Sequence, residues 1–145
     1  MPSYCTRVDF EKAFGQEEAT RLADRDSVGD ETIDAIEVQL ARASSDVDLH
    51  LRAAGYAVPV AMPTEQLRGW VLDIGRFYLF DNGELDDSSA KVRRYKAAMG
   101  TLQMIASKKL PLDIPLSETP LPVDADMATF TTSPRAFSRE TMGGN

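Results

Sequence analysis

Between Asp30 and Gly55 the apolar residues fall three and four positions apart, and this spacing constrains the chain more than any other feature. Ile33, Ile36, Leu40, Ala43, Val47 and Ala54 make one stripe of a 3.6-residue repeat. The stripe holds for about six turns, so a helix opening at Asp30 or Glu31 and stopped by Gly55 is the expected spine of the fold.

Shorter helices flank it. Thr6 is placed to cap a first helix, Arg7 to Phe14, with Asp9 three residues on and Gly15 as a left-handed stop. A second short helix, Gln16 to Ala23, aligns Ala19, Leu22 and Ala23. Pro59 and Pro63 keep residues 56–62 extended, and Pro63 suits the start of a fourth helix. Leu67, Trp70, Val71, Ile74, Phe77 and Tyr78 give that helix the most hydrophobic face in the chain, and Asp81-Asn-Gly83 ends it in a turn. A fifth helix is expected from Asp87 or Ser88, presenting Val92, Tyr95, Met99, Leu102 and Ala106, with Lys108 and Lys109 at its negative end. The fold class is therefore all-α: a small bundle of about five helices, two short and three long, with an extended C-terminal arm. The domain division is a helical domain, 1–110, and an extended Pro-rich C-terminal arm, 111–145.

Charge and composition narrow the function. The chain has 145 residues, 16 basic against 23 acidic, for a net charge of -7. Its length suits one core, and an acidic total opposes general nucleic-acid binding, which needs cations on phosphate. No apolar run approaches a membrane span, and the start lacks a signal-peptide core, so the expected place of synthesis and assembly is the cytosol. One cysteine, Cys5, and one histidine, His50, leave no internal disulfide, no Cys-rich zinc site and no paired-histidine metal motif.

Each feature that suggests chemistry has a stronger structural reading. Asp24, Asp26 and Gly29 mimic a calcium loop, but Val28 and Ala35 stand where an oxygen ligand and a bidentate Glu are required; the loop reads as a helix cap. Cys5 has no neighbouring His to activate it, and His50 reads as a half-buried or interfacial residue. Arg93, Arg94 and Lys96 read as a surface network with Glu84, Asp86 and Asp87. Trp70, Phe77, Tyr78 and Tyr95 read as packing between the last two helices. The expectation is a protein that is not an enzyme, with no catalytic residues, cofactor or metal.

The arm is unusual. It holds five of the eight prolines, yet also Leu112, Ile114, Leu116, Leu121, Val123, Met127, Phe130, Phe137 and Met142. Disordered linkers are poor in such residues, whereas proline-spaced apolar groups suit an extended segment docking on another chain. Phe130, Pro134, Arg135, Phe137 and Arg139 are the expected partner-binding residues, because Phe and Arg are enriched at interface centres.

Several segments carry a family resemblance: Arg7-Val-Asp-Phe-Glu-Lys-Ala-Phe-Gly15, Leu22-Ala-Asp-Arg-Asp26, Asp30-Glu-Thr-Ile33, Asp46-Val-Asp48, Tyr56-Ala-Val-Pro59, Asp73-Ile-Gly-Arg76-Phe-Tyr78 and Ser133-Pro-Arg-Ala-Phe-Ser-Arg139. In order and spacing they resemble the Mu-like phage neck protein family, head-to-tail connector or adaptor proteins. The resemblance implies a structural virion protein at the head-tail interface, forming a homo-oligomeric ring of twelve copies. Its implied partners are the portal protein, stopper or tail-completion proteins, and double-stranded DNA that passes through without specific binding; no membrane is implied. The alternative is a small DNA-packaging or regulatory DNA-binding protein using Arg93, Arg94, Lys96, Lys108 and Lys109.

Overall fold

A computed structural model describes residues 3–26, 34–80, 86 and 88–117. Its five helices are α1 (Arg7–Phe14), α2 (Gln16–Asp26), α3 (Ala35–Ala54), α4 (Glu65–Phe80) and α5 (Ala90–Ala106). The all-α class holds: among the described residues there is no strand, only an isolated antiparallel bridge between Tyr56 and Leu116.

Local chemistry sets most boundaries. Thr6 caps α1 through a full capping box, its hydroxyl accepting from Asp9 N while the Asp9 carboxylate accepts from Thr6 N at 2.9 Å. Gly15 ends α1 at φ 96° and ψ 147°, which is not the left-handed helical region that was expected. Its N–H still donates to Glu11 O, and its own carbonyl accepts from Ala19 N, so one glycine closes α1 and opens α2. Gly55 does take the left-handed conformation, φ 93° and ψ 15°, and stops α3 as its position suggests.

Two start sites move. The cap of α3 is Asp34, whose side chain accepts from Ile36 N, rather than Asp30 or Glu31; residues 27–33, Ile33 included, lie outside the described residues. The cap of α5 is Ser89, accepting from Val92 N, not Asp87 or Ser88. For α4, Thr64 Oγ1 accepts from Leu67 N, so Pro63 stands just before the cap and not inside the helix. Lys108 and Lys109 follow the Ser107 cap, with Lys108 at φ 59°.

The three long helices form the core. α3 packs on both α4 and α5, α4 packs on α5, and the α1–α2 pair rests on α3 through α2 and through Arg7 of α1, whose N–H donates to Glu37 at 2.6 Å. Ile36, Leu40, Ala43, Val47 and Leu51 of α3 are fully buried against Leu67, Val71, Ile74 and Leu79 of α4. The two helices approach closely at Gly75, where an added Cβ would stand 2.8 Å from Leu40 Cδ2. Trp70, Phe77 and Tyr78 flank this contact half-buried. The buried line of α5 is Val92, Ala98, Leu102 and Ile105; Tyr95, Met99 and Ala106 sit beside it rather than on it.

The core is not complete at Leu110, contrary to expectation. Leu112 and Ile114 pack against it, and residues 112–117 run back along the α3–α4 connector. Leu112 N donates to the Tyr56 hydroxyl at 2.7 Å, Ala57 N to Pro115 O at 3.1 Å, and Ser117 N to Gly55 O at 2.9 Å. This strap belongs to the folded unit. Substituting Tyr56 with Phe keeps its buried ring but orphans the Leu112 amide, and should lower stability by about 1 kcal/mol in a denaturant melt.

Candidate functional site

The side chains singled out in the sequence can now be placed one by one. Cys5 is buried, its thiol donating weakly to Arg68 O at 3.5 Å, and desolvation pushes its pKa up to about 12. A thiol kept protonated is not a nucleophile. A cavity of about 300 Å3 opens beside it, lined by Cys5, Asp9, Lys12, Glu65, Arg68 and Leu72, a wall of balanced charges. His50 is half-buried, and its Nδ1 lies 2.8 Å from Asp46 O, one helical turn back. Among the described residues no three His, Cys, Asp or Glu side chains come together to hold a metal.

The loop expected from Asp24 starts later: α2 runs on past Ala23 to Asp26, so Asp24 and Asp26 belong to its last turn, and the side chains of 24–30 lie outside the described ones. Its missing oxygen ligands lead to a plain expectation: millimolar calcium should leave the melting temperature unchanged. A clear rise would restore a binding site, because a ligand that binds only the folded state must stabilise it.

Sequence reasoning missed a tyrosine staple near the N-terminus. The Tyr4 hydroxyl accepts from Val60 N at 2.8 Å and donates to the Asp48 carboxylate, while Tyr4 N donates to Ser44 Oγ at 3.1 Å. One residue therefore ties the N-terminal segment to α3 and to the α3–α4 connector. Burial first, then the bond to Asp48, raises the Tyr4 pKa to about 12. Burial and a 2.6 Å bond to Asp46 raise that of Tyr78 as well.

The sign of the pH effect follows. Groups whose folded pKa lies above the ordinary value stabilise the fold fully at pH below that value and lose the contribution as pH rises. Cys5 and Tyr4 both titrate near pH 12 when folded, against 9.0 and 10.0 ordinarily. Urea melts should therefore show little change in stability from neutral pH to about pH 8 and a progressive loss above it. Tyr4→Phe should flatten that loss; an unchanged alkaline slope would contradict the assignment.

A second staple joins α2 to α4. Arg76 donates Nε and Nη2 to the two Glu18 oxygens at 2.7 and 2.8 Å, while its guanidinium lies 4.2 Å from the Phe14 ring centroid. Both partners are mostly shielded from water. Lysine cannot reproduce the fork, so Arg76→Lys should cost about 1 to 2 kcal/mol despite keeping the charge. A melt unchanged from the parent chain would refute this.

Of the aromatic set expected between α4 and α5, Phe77 and Tyr95 meet there, whereas Tyr78 turns to α3, its hydroxyl donating to Asp46. Phe77 stacks on Tyr95 at 3.8 Å and 9°, and Arg42 of α3 caps the Tyr78 ring at 4.4 Å. Arg94 approaches Asp73 of α4 at 3.8 Å, a partner the sequence reading did not assign. Asp86 accepts from Ser88 Oγ at 2.7 Å; Glu84 and Asp87 lie outside the described residues. The expected arm contacts, Phe130, Pro134, Arg135, Phe137 and Arg139, also lie outside them.

With this helical unit described, one comparison decides the family: the model for bacteriophage Mu Gp36 matches residues 4–130. The chain belongs to that family. The match runs from the Tyr4 staple through all five helices and the strap, and on into the arm. No curated protein matches the chain. It is a bacteriophage Mu-type protein, and among the described residues no helix is long and apolar enough to cross a membrane.

Proposed function

We propose that this member of the Gp36 family is a structural virion protein, a connector between the portal vertex of the capsid and the tail. The family match over residues 4–130 carries the reading. A tightly stapled helical unit followed by an arm supports it, since a closed ring needs head-to-tail contacts and an arm can supply one of them. In this reading about twelve copies form a ring at the head-tail interface, touching portal on one side and stopper or tail-completion proteins on the other. The DNA passes through without specific binding, and no catalysis is involved. The acidic total suits such a channel, because it does not hold phosphate tightly.

Electron microscopy of phage particles tests this. A density tag on the chain should appear as a ring at the neck, and particles made without the protein should have filled or leaking heads and no tails. Tag density elsewhere in the particle, or its absence from particles, would defeat the proposal.

A further inference from the structure

The charges of this chain are segregated. Between Ser88 and Leu112 stand six basic residues and no acidic one; the chain total is -7, so the remaining residues carry -13. That basic segment is α5 and its continuation.

The helix buries Val92, Ala98, Leu102 and Ile105. On the opposite side, Arg93, Lys96, Ala97, Gly100 and Met104 share one face at helical spacing. Arg93, Lys96 and Ala97 are exposed, and Met104 keeps 46% of its surface in water. Gly100 lies mid-helix on that face, and an added Cβ there would meet nothing within 4 Å. A mid-helix glycine destabilises a helix relative to alanine. At Gly75 the cost has a reason within the chain, the close approach of Leu40; at Gly100 it has none among the described residues.

We propose that this face of α5 is a docking surface for a second copy of the same chain. The centre, Ala97, Gly100 and Met104, is small and apolar, as in the dry middle of an interface, with cations at its edge. A phosphate backbone would be matched by donors along the whole track, not by an apolar centre. The partner surface must be acidic and come close to Gly100. The rest of this same chain, with its -13, supplies the complementary charge, and contact between basic α5 and the acidic remainder of the next copy is head-to-tail. The inference rests on the ring reading and assigns one of its two contact surfaces.

Analytical ultracentrifugation of the full chain at low salt and at about 0.5 M salt provides the test, because screening weakens charge pairs between copies. The expected result is association at low salt that weakens in high salt. Arg93→Glu with Lys96→Glu should weaken it roughly tenfold or more without changing helical circular dichroism. Gly100→Ala is the sharper variant. It should raise the melting temperature of the monomer, because alanine favours a helix, and yet weaken association; Gly100→Leu should weaken it further. Association equal to the parent chain in all three variants would overturn the surface while leaving the ring to be judged by the particle images. A parent chain that stays monomeric at low salt would overturn it as well. So would duplex DNA binding that the charge reversal abolishes while Gly100→Leu leaves association intact, since the face would then belong to phosphate.

Discussion

Ile74→Ala should remove about 2 to 5 kcal/mol of folding stability, enough to unfold a domain of ordinary margin at moderate temperature. Ile74 is fully buried where α4 meets α3, one residue before the glycine that lets the two helices touch. Because Gly75 already brings Leu40 against the α4 backbone, the neighbouring side chains have little freedom to collapse into the space left by three lost carbons. The upper part of the range is therefore expected. Trp70→Ala serves as the comparison: Trp70 is larger but only half-buried, so part of its surface is in water before the change. Urea melts of both variants check the order. A larger loss for Trp70 than for Ile74 would place the core on a different face of α4 from the one described.

The other large effect concerns where the chain can be cut. A chain ending at Ser117 should keep its helical circular dichroism and cooperative melt, because the strap with its three hydrogen bonds remains. A chain ending at Leu110 should lose about 2 to 4 kcal/mol, since Leu112 and Ile114 leave the core and the Tyr56 hydroxyl loses its donor. The two truncations separate stability from attachment. If residues 118–145 serve assembly, phage carrying the chain that ends at Ser117 should make heads without tails although the helical unit is intact. Phe137→Ala with Arg139→Ala should reproduce much of that defect, and a closed ring repeats the loss at every copy. Normal infectious yield from the Ser117 truncation would end the docking role of the arm.

The helices themselves were readable from the residues because their signals are local. Thr6 with Asp9, Gly15 and Gly55 mark ends by chemistry within one turn, and the repeat from Ile36 to Ala54 has only one helical solution. The starts of α3 and α5 were displaced because each is preceded by several residues able to cap. Asp30 and Asp34, or Ser88 and Ser89, are equivalent by local chemistry, and packing decides between them. The inner face of α5 was read in part: Val92 and Leu102 are buried and Tyr95 and Met99 pack against the core as expected, but Ala98, which carries little hydrophobic signal, and Ile105 were not assigned to it. The strap and the Tyr4 staple were not legible at all. Their hydrogen bonds join residues 56 apart in sequence, for Tyr56 with Leu112 and for Tyr4 with Val60, and no periodicity encodes such a pairing. The surface on α5 had a visible signal, the absence of acidic residues from Ser88 to Leu112. Reading Arg93, Arg94 and Lys96 as a small cluster concealed it.

The strap also determines how the molecule carries load. A pull on the chain beyond Ser117 is met first by the Ser117–Gly55 and Ala57–Pro115 backbone bonds, then by the Tyr56 hydroxyl. All three act at the C-terminal end of α3, the helix on which α4 and α5 both pack. Tension therefore enters the centre of the bundle and bypasses the end of α5, which would otherwise fray from Ala106 inward. The short bridge acts as a strain relief, much as a cable is clamped to the frame of a device before it reaches the terminals.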